Sequence, residues 1–122
     1  RLAIVLPHNK FGGKKYAAAR RWLLERVQIV AVLGLGRETF LPHTSQKADI
    51  LFGVKRDKPL GKIPNEEIIF LTSEKSGKNS KGHLLTKSEI ANSESSWDRV
   101  DHDLHQAVDL ISEHIQKLGM RW

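Results

Sequence analysis

Gln28-Ile29-Val30-Ala31-Val32-Leu33-Gly34-Leu35 is a run in which apolar, largely β-branched residues follow one another without the alternation of a half-exposed strand. A strand buried on both faces of an α/β sheet reads this way. Toward the N-terminus, Tyr16, Ala19, Leu23 and Val27 recur at helical spacing, with Arg20, Arg21, Glu25 and Arg26 mostly on the other side, and predict an amphipathic helix. Gly12-Gly13 break the chain before that helix, and ahead of them Leu2-Ala3-Ile4-Val5-Leu6, ended by Pro7, predicts another central strand. The order strand, helix, strand implies a right-handed crossover between parallel neighbours. Toward the C-terminus, Ala48 to Val54 is a third apolar run, reached through a loop of about a dozen residues containing Pro42. No helix fits in that loop, so the second and third strands are expected to run antiparallel and the sheet to be mixed.

Beyond the charged turn Lys55-Arg56-Asp57-Lys58-Pro59, Glu67-Ile68-Ile69-Phe70-Leu71-Thr72 predicts a further strand. Ser73 to Lys87, polar and containing Gly77 and Gly82, reads as an exposed excursion that supplies no core. Val100, Leu104, Ala107, Val108, Ile111, Ile115 and Leu118 mark one face of a long helix, with Ser95 and Ser96 to cap its start and Gly119 to end it. The expected class is therefore α/β, a single unit with its sheet core in 1–56, a strand and excursion in 57–97 and a helix over 98–118.

Hydrophobic residues make up 39% of the chain and fall in periodic blocks, which argues against disorder throughout. Lys and Arg outnumber Asp and Glu 20 to 14, and the resulting charge of +6 favours polyanions such as nucleic acid. The absence of cysteine excludes a disulfide framework and thiolate metal sites and suits a reducing, cytoplasmic setting. The longest apolar runs are far shorter than the roughly 18 residues that span a bilayer, so no membrane partner is expected. Arg1 stands where an initiator methionine would, and the chain enters an apolar strand at once, which predicts that it begins inside a larger fold.

Several short motifs fail on their neighbours. Gly34-Leu35-Gly36 lacks the third glycine of a dinucleotide fingerprint, Thr39 standing in its place, and no helix follows. Gly12-Gly13-Lys14-Lys15 departs from a phosphate loop at both ends, with His8 in place of the first glycine and Lys15 in place of the magnesium-binding hydroxyl. A basic helix start can still meet a phosphate there through Lys10, Lys14 and Lys15. His102 and His105, beside Asp98, Asp101 and Asp109, have a metal-ligand spacing without a third ligand elsewhere, so no metal is expected. His8, His43, His83 and His114 are isolated, and no nucleophile turn accompanies them, which leaves hydrolase chemistry without support. Trp22, Trp97 and Trp122 read as packing residues. Phe40 differs, because it lies in the loop leaving the second strand, where such sheets carry functional groups. There it is either a stacking aromatic or a loop anchor.

Leu2-Ala3-Ile4-Val5-Leu6-Pro7, Phe11-Gly12, Arg20-Arg21-Trp22-Leu23-Leu24-Glu25, Val30-Ala31-Val32-Leu33, Phe40-Leu41-Pro42 and Lys47-Ala48-Asp49-Ile50-Leu51-Phe52 form an ordered series over about the first 56 residues. The series resembles the adenine-specific (N-6) DNA methyltransferases, most closely the modification subunit of type I restriction-modification systems. Ile69 to Gly82 is similar to that family's strand followed by a Gly-x-(Asn/Asp)-x-x-Gly turn, and the last helix resembles the segment after it. The resemblance implies the C-terminal portion of a Rossmann-like methyltransferase sheet. It gives Phe40, the aromatic of a Phe-x-Pro loop, the role of stacking on an adenine flipped out of the duplex, with Pro42, His43, Thr44 and Lys47 lining the loop.

It also implies a parent enzyme that takes its methyl group from S-adenosylmethionine, acts on DNA and works beside specificity and restriction subunits. The family's glycine-rich cofactor turn and its Asn/Asp-Pro-Pro-Phe/Tyr motif do not occur in this sequence. That motif orients the adenine amine, a poor nucleophile, and stabilises its developing charge. The chain is therefore expected to hold no catalytic residue, to bind no cofactor alone, to be inactive alone, and to self-associate through the edge of its first strand. Two other classes remain open: a non-catalytic basic module binding nucleic acid through Lys10, Lys14, Lys15, Arg20 and Arg21, and a complete small α/β signalling or scaffold domain.

Overall fold

A computed structural model of the chain describes residues 1–87 and 99–122. Strands β1 (Leu2–Pro7), β2 (Val27–Gly34), β3 (Ala48–Lys55) and β4 (Ile69–Thr72) form one sheet, ordered β1-β3-β2-β4. Helices α1 (Ala17–Arg26) and α2 (Leu104–Lys117) lie on opposite faces. Val27, Ile29, Val32 and Leu51 pack with Leu23 and Leu24 of α1, whereas Val30 and Ala31 pack with Ile111 and Ile115 of α2. Burial of β2 between two helical layers is what its unbroken apolar run requires.

The register of β2 against β3 slips between Ile29 and Ala31, leaving Val30 as an extra residue, fully buried. Gly53 sits opposite this bulge, where a Cβ would lie 2.6 Å from Val27 Cγ1 and 2.9 Å from the Gln28 carbonyl oxygen. The close approach of the two strands is possible only without a side chain there.

The class is α/β with a mixed sheet, and β2 and β3 run antiparallel as expected. Four expectations need correction. β1 and β2 are parallel but not neighbours, because β3 inserts between them and pairs antiparallel with both. β1 is an edge strand rather than a central one, with Ile4 and Val5 exposed. The C-terminal helix begins at Leu104, after the N-cap Asp103; Val100 instead forms an isolated bridge to Thr86, and His102 one to Ser76. Ser95, Ser96, Trp97 and Asp98 lie outside the described residues. The end of the helix is as read, Gly119 taking φ 66° just past the Leu118 cap. Val27, assigned above to the helix face, starts β2 instead, buried and paired with Lys55.

Because β1, β2 and β4 point the same way, Pro7, Gly34 and Thr72 all end at one edge of the sheet. The turn after β1, the loop after β2 and the excursion after β4 therefore emerge together. Among the described residues, no helix is long and apolar enough to cross a membrane.

Candidate functional site

The loop from Leu35 to Lys47 leaves β2 at this carboxyl edge and carries Phe40 with 37% of its surface exposed. Its backbone is a succession of tight turns. Thr39 N–H and Oγ1 donate to the Gly36 carbonyl, Leu41 N–H to Glu38, and both His43 and Thr44 N–H to the Phe40 carbonyl at 3.1 and 3.2 Å. The Leu41-Pro42 peptide is cis. Pro42, His43 and Thr44 are exposed on the same loop, and Thr44 Oγ1 accepts from Gln46 N–H. Lys47 lies at the loop's base, where its carbonyl accepts from His8 N–H at 2.9 Å.

The excursion after β4, read from sequence as supplying nothing to the interior, holds this loop in place. Lys78 Nζ donates to the carbonyls of Thr39 at 2.9 Å and Leu41 at 2.7 Å. Gly82, at φ 84°, packs against the Leu41-Pro42 peptide so closely that a Cβ would lie 2.8 Å from the Leu41 carbonyl carbon. The Gly77 to Gly82 turn is itself fixed: Asn79 Oδ1 accepts from Lys81 N–H and His83 N–H, and Lys78 bridges to Leu84. At the turn's root, the Asp103 carboxylate accepts from Ser73 Oγ at 2.5 Å, Glu74 N–H at 2.7 Å and Lys75 N–H at 3.2 Å. Burial pushes this carboxyl upward, but these hydrogen bonds outweigh burial and leave it below the usual aspartate value.

A second feature of the edge joins β1 to β3. His8 Nδ1 lies 2.7 Å from Oδ2 of Asp49, which is 3% exposed, while the imidazole itself is mostly open. Asp49 Oδ1 is buried without a hydrogen-bond partner among the described residues, beside Gly34, where a Cβ would lie 3.4 Å from it. An aspartate inside an apolar strand was the sequence signal for this pair, and reading His8 as isolated missed it.

The basic residues after β1 cluster around Tyr16. Lys10 Nζ donates to the Tyr16 hydroxyl at 2.6 Å and lies 3.9 Å from the ring centre, with Lys15 Nζ at 5.5 Å. The Lys10 hydrogen bond holds the phenol below its ordinary pKa. Lys14 is exposed beside them. Arg20 closes the turn by donating to the carbonyls of Lys10, Gly12 and Gly13. Trp122 packs edge-on against Phe52, whereas Trp22 is exposed under the Arg26 guanidinium. The rings of His102 and His105 are 4.8 Å apart, but His102 precedes the helix, so helical spacing does not align them. Among the described residues no three His, Cys, Asp or Glu side chains gather around one point.

An apolar cavity of about 360 Å³ lies between α1 and the sheet, lined by residues including Phe11, Leu23, Leu24, Leu51 and Phe70, with Lys10 and Arg20 its cations. Among the described residues no carboxylate lines it. A sulfonium cofactor with a ribose diol calls for acceptors and an anionic partner, so these residues do not fit S-adenosylmethionine.

No curated protein matches the chain. Residues 1–119, which include the sheet and the segments that converge on its carboxyl edge, match the family N-6 DNA methylase. That match covers nearly the whole chain, and the chain belongs to the N-6 DNA methylase family.

Proposed function

We propose that this chain is the base-holding portion of an adenine N6 DNA methyltransferase of a restriction-modification system, similar to the modification subunit of the type I class. Phe40 stacks on an adenine swung out of the duplex, Pro42, His43, Thr44 and Lys47 line the loop around it, and Lys10, Lys14 and Lys15 meet DNA phosphates. The family takes its methyl group from S-adenosylmethionine. Cofactor binding and orientation of the amine belong to motifs not found among these residues, so the chain alone does not methylate DNA. In the parent, specificity and restriction subunits are its partners.

The observation that carries this reading is that Phe40, with 37% of its surface exposed, stands on a loop whose flanking carbonyls, Thr39 and Leu41, are held by Lys78. A loop anchor would turn its ring inward; a ring that remains accessible on a rigid mount is suited to receive a planar partner. The test compares binding of a single-stranded oligonucleotide containing adenine with the same strand carrying abasic positions. Phe40→Ala is expected to weaken the adenine strand by about 5- to 150-fold and leave the abasic strand unchanged, since stacking on one base contributes roughly 1–3 kcal/mol. Equal affinities of Phe40→Ala and the unaltered chain for the adenine strand would contradict the assignment. Incubating the chain with S-adenosylmethionine and DNA is expected to give no methylated adenine; turnover would show that the missing motifs are dispensable.

A further inference from the structure

Lys78, in the Gly77 to Gly82 turn, is given no role by the family match or by the phosphate contacts proposed above. Its ammonium reaches across to the two carbonyls that bracket Phe40 in the chain, Thr39 and Leu41. The carbonyl between them, that of Phe40 itself, is held by His43 and Thr44 N–H. Peptide groups are planar, so fixing the orientation of successive carbonyls fixes the dihedrals of the residues between them. With the carbonyls of residues 39, 40 and 41 all engaged, the backbone dihedrals of Phe40 and Leu41 are held, and with them the direction in which the Phe40 side chain leaves the loop. We propose that Lys78 is a positioning residue for the base-stacking loop: through the Thr39 and Leu41 carbonyls it sets where the Phe40 ring meets an extrahelical base. The inference deepens the reading of Phe40 and rests on it.

The mount is stiff at its other end too. Lys78 projects from a turn whose Gly77 lies at φ 80°, where a Cβ would collide with Val100, and whose Gly82 is pressed on the Leu41-Pro42 peptide. Backbone bonds from Leu85 N–H to Gly77 and from Asp101 N–H to Leu85 tie the turn to the approach to α2. Charge-assisted bonds from an ammonium to carbonyls are stronger than neutral ones, and here they are spent on a neighbouring loop rather than on a surface carboxylate. A surface ion pair would contribute little; two carbonyl bonds that bracket the stacking residue convert the excursion into its support.

The experiment uses the full chain with Lys78→Met, Lys78→Arg and Phe40→Ala, each measured where circular dichroism shows it fully folded. Amide hydrogen exchange at Leu41, His43 and Thr44 reads the loop, and adenine-strand against abasic-strand affinity reads the ring. Lys78→Met is expected to speed exchange at those amides by about tenfold and to lower the adenine preference by about fivefold, with Lys78→Arg recovering most of both. Unchanged exchange in Lys78→Met overturns the proposal. So does an equal loss of affinity for the adenine and abasic strands, which marks Lys78 as a phosphate contact. If Phe40→Ala keeps the adenine preference, the stacking reading fails on its own, while the exchange result still decides whether Lys78 sets the loop.

Discussion

A methyl group added at Gly82 would lie 2.8 Å from the Leu41 carbonyl carbon, and the backbone there already sits at φ 84°. Both effects act on the loop that carries Phe40. Gly82→Ala is expected to cost about 1–3 kcal/mol in a urea unfolding titration and to weaken the adenine strand along with it. An unchanged midpoint would mean that the turn yields without strain. Gly53→Ala meets Val27 Cγ1 and the Gln28 carbonyl opposite the bulge, and a cost of about 1–3 kcal/mol is expected there as well. In that case the adenine preference of the folded protein should persist, because the strain lies in the sheet. The sequence marks Gly82 as a turn residue. It does not reveal that the turn's partner is Leu41, since contacts distant in sequence leave no local pattern. For His8 the sequence shows an aspartate within an apolar strand, but not that Asp49 is its partner.

At the scale of elements, periodicity located every described strand and both helices, and erred at their ends. Val100 continues the apolar spacing of α2, yet its backbone forms a bridge to Thr86, and Asp103 rather than an upstream serine stands at the cap. Apolar periodicity cannot separate a helical turn from an extended residue that buries its side chain against the same core. Val27 is the reverse case, a β-branched residue at a helical interval that instead starts β2. Ile111→Ala removes a buried contact with β2 and is expected to cost about 2–5 kcal/mol by chemical denaturation.

Asp103 makes the start of α2 sensitive to acid. Its folded pKa is below the unfolded value, so its contribution is complete at neutral pH, above the unfolded carboxylate range, and is lost as pH falls through the depressed value. The free energy of unfolding should therefore fall less steeply toward acid in Asp103→Asn than in the unaltered chain. Identical acid slopes would show that the tether to Ser73, Glu74 and Lys75 contributes nothing.

The whole molecule is a sheet between two helical layers, with three segments meeting at one edge. The sequence shows the strands but not their order. Insertion of β3 between β1 and β2 follows from antiparallel pairing on both of its sides, which no local run can encode. Nor does composition place the Lys78 turn over the Phe40 loop, because polar excursions with glycine read as solvated wherever they land. Among the described residues β1 pairs on one side only and leaves Val5 52% exposed, so a second copy is expected to add to it, giving concentration-dependent sedimentation that Val5→Lys abolishes. A sedimentation coefficient independent of concentration would rule that assembly out.

The base-holding role itself is tested most directly by titrating the chain with the adenine-containing single strand and following the Phe40 ring by nuclear magnetic resonance. The expected result is an upfield, saturable shift of the Phe40 ring protons that the abasic strand does not produce. Shifts confined to Lys10, Lys14 and Lys15, with the Phe40 ring unmoved, would contradict it and leave a basic module that binds nucleic acid by charge alone.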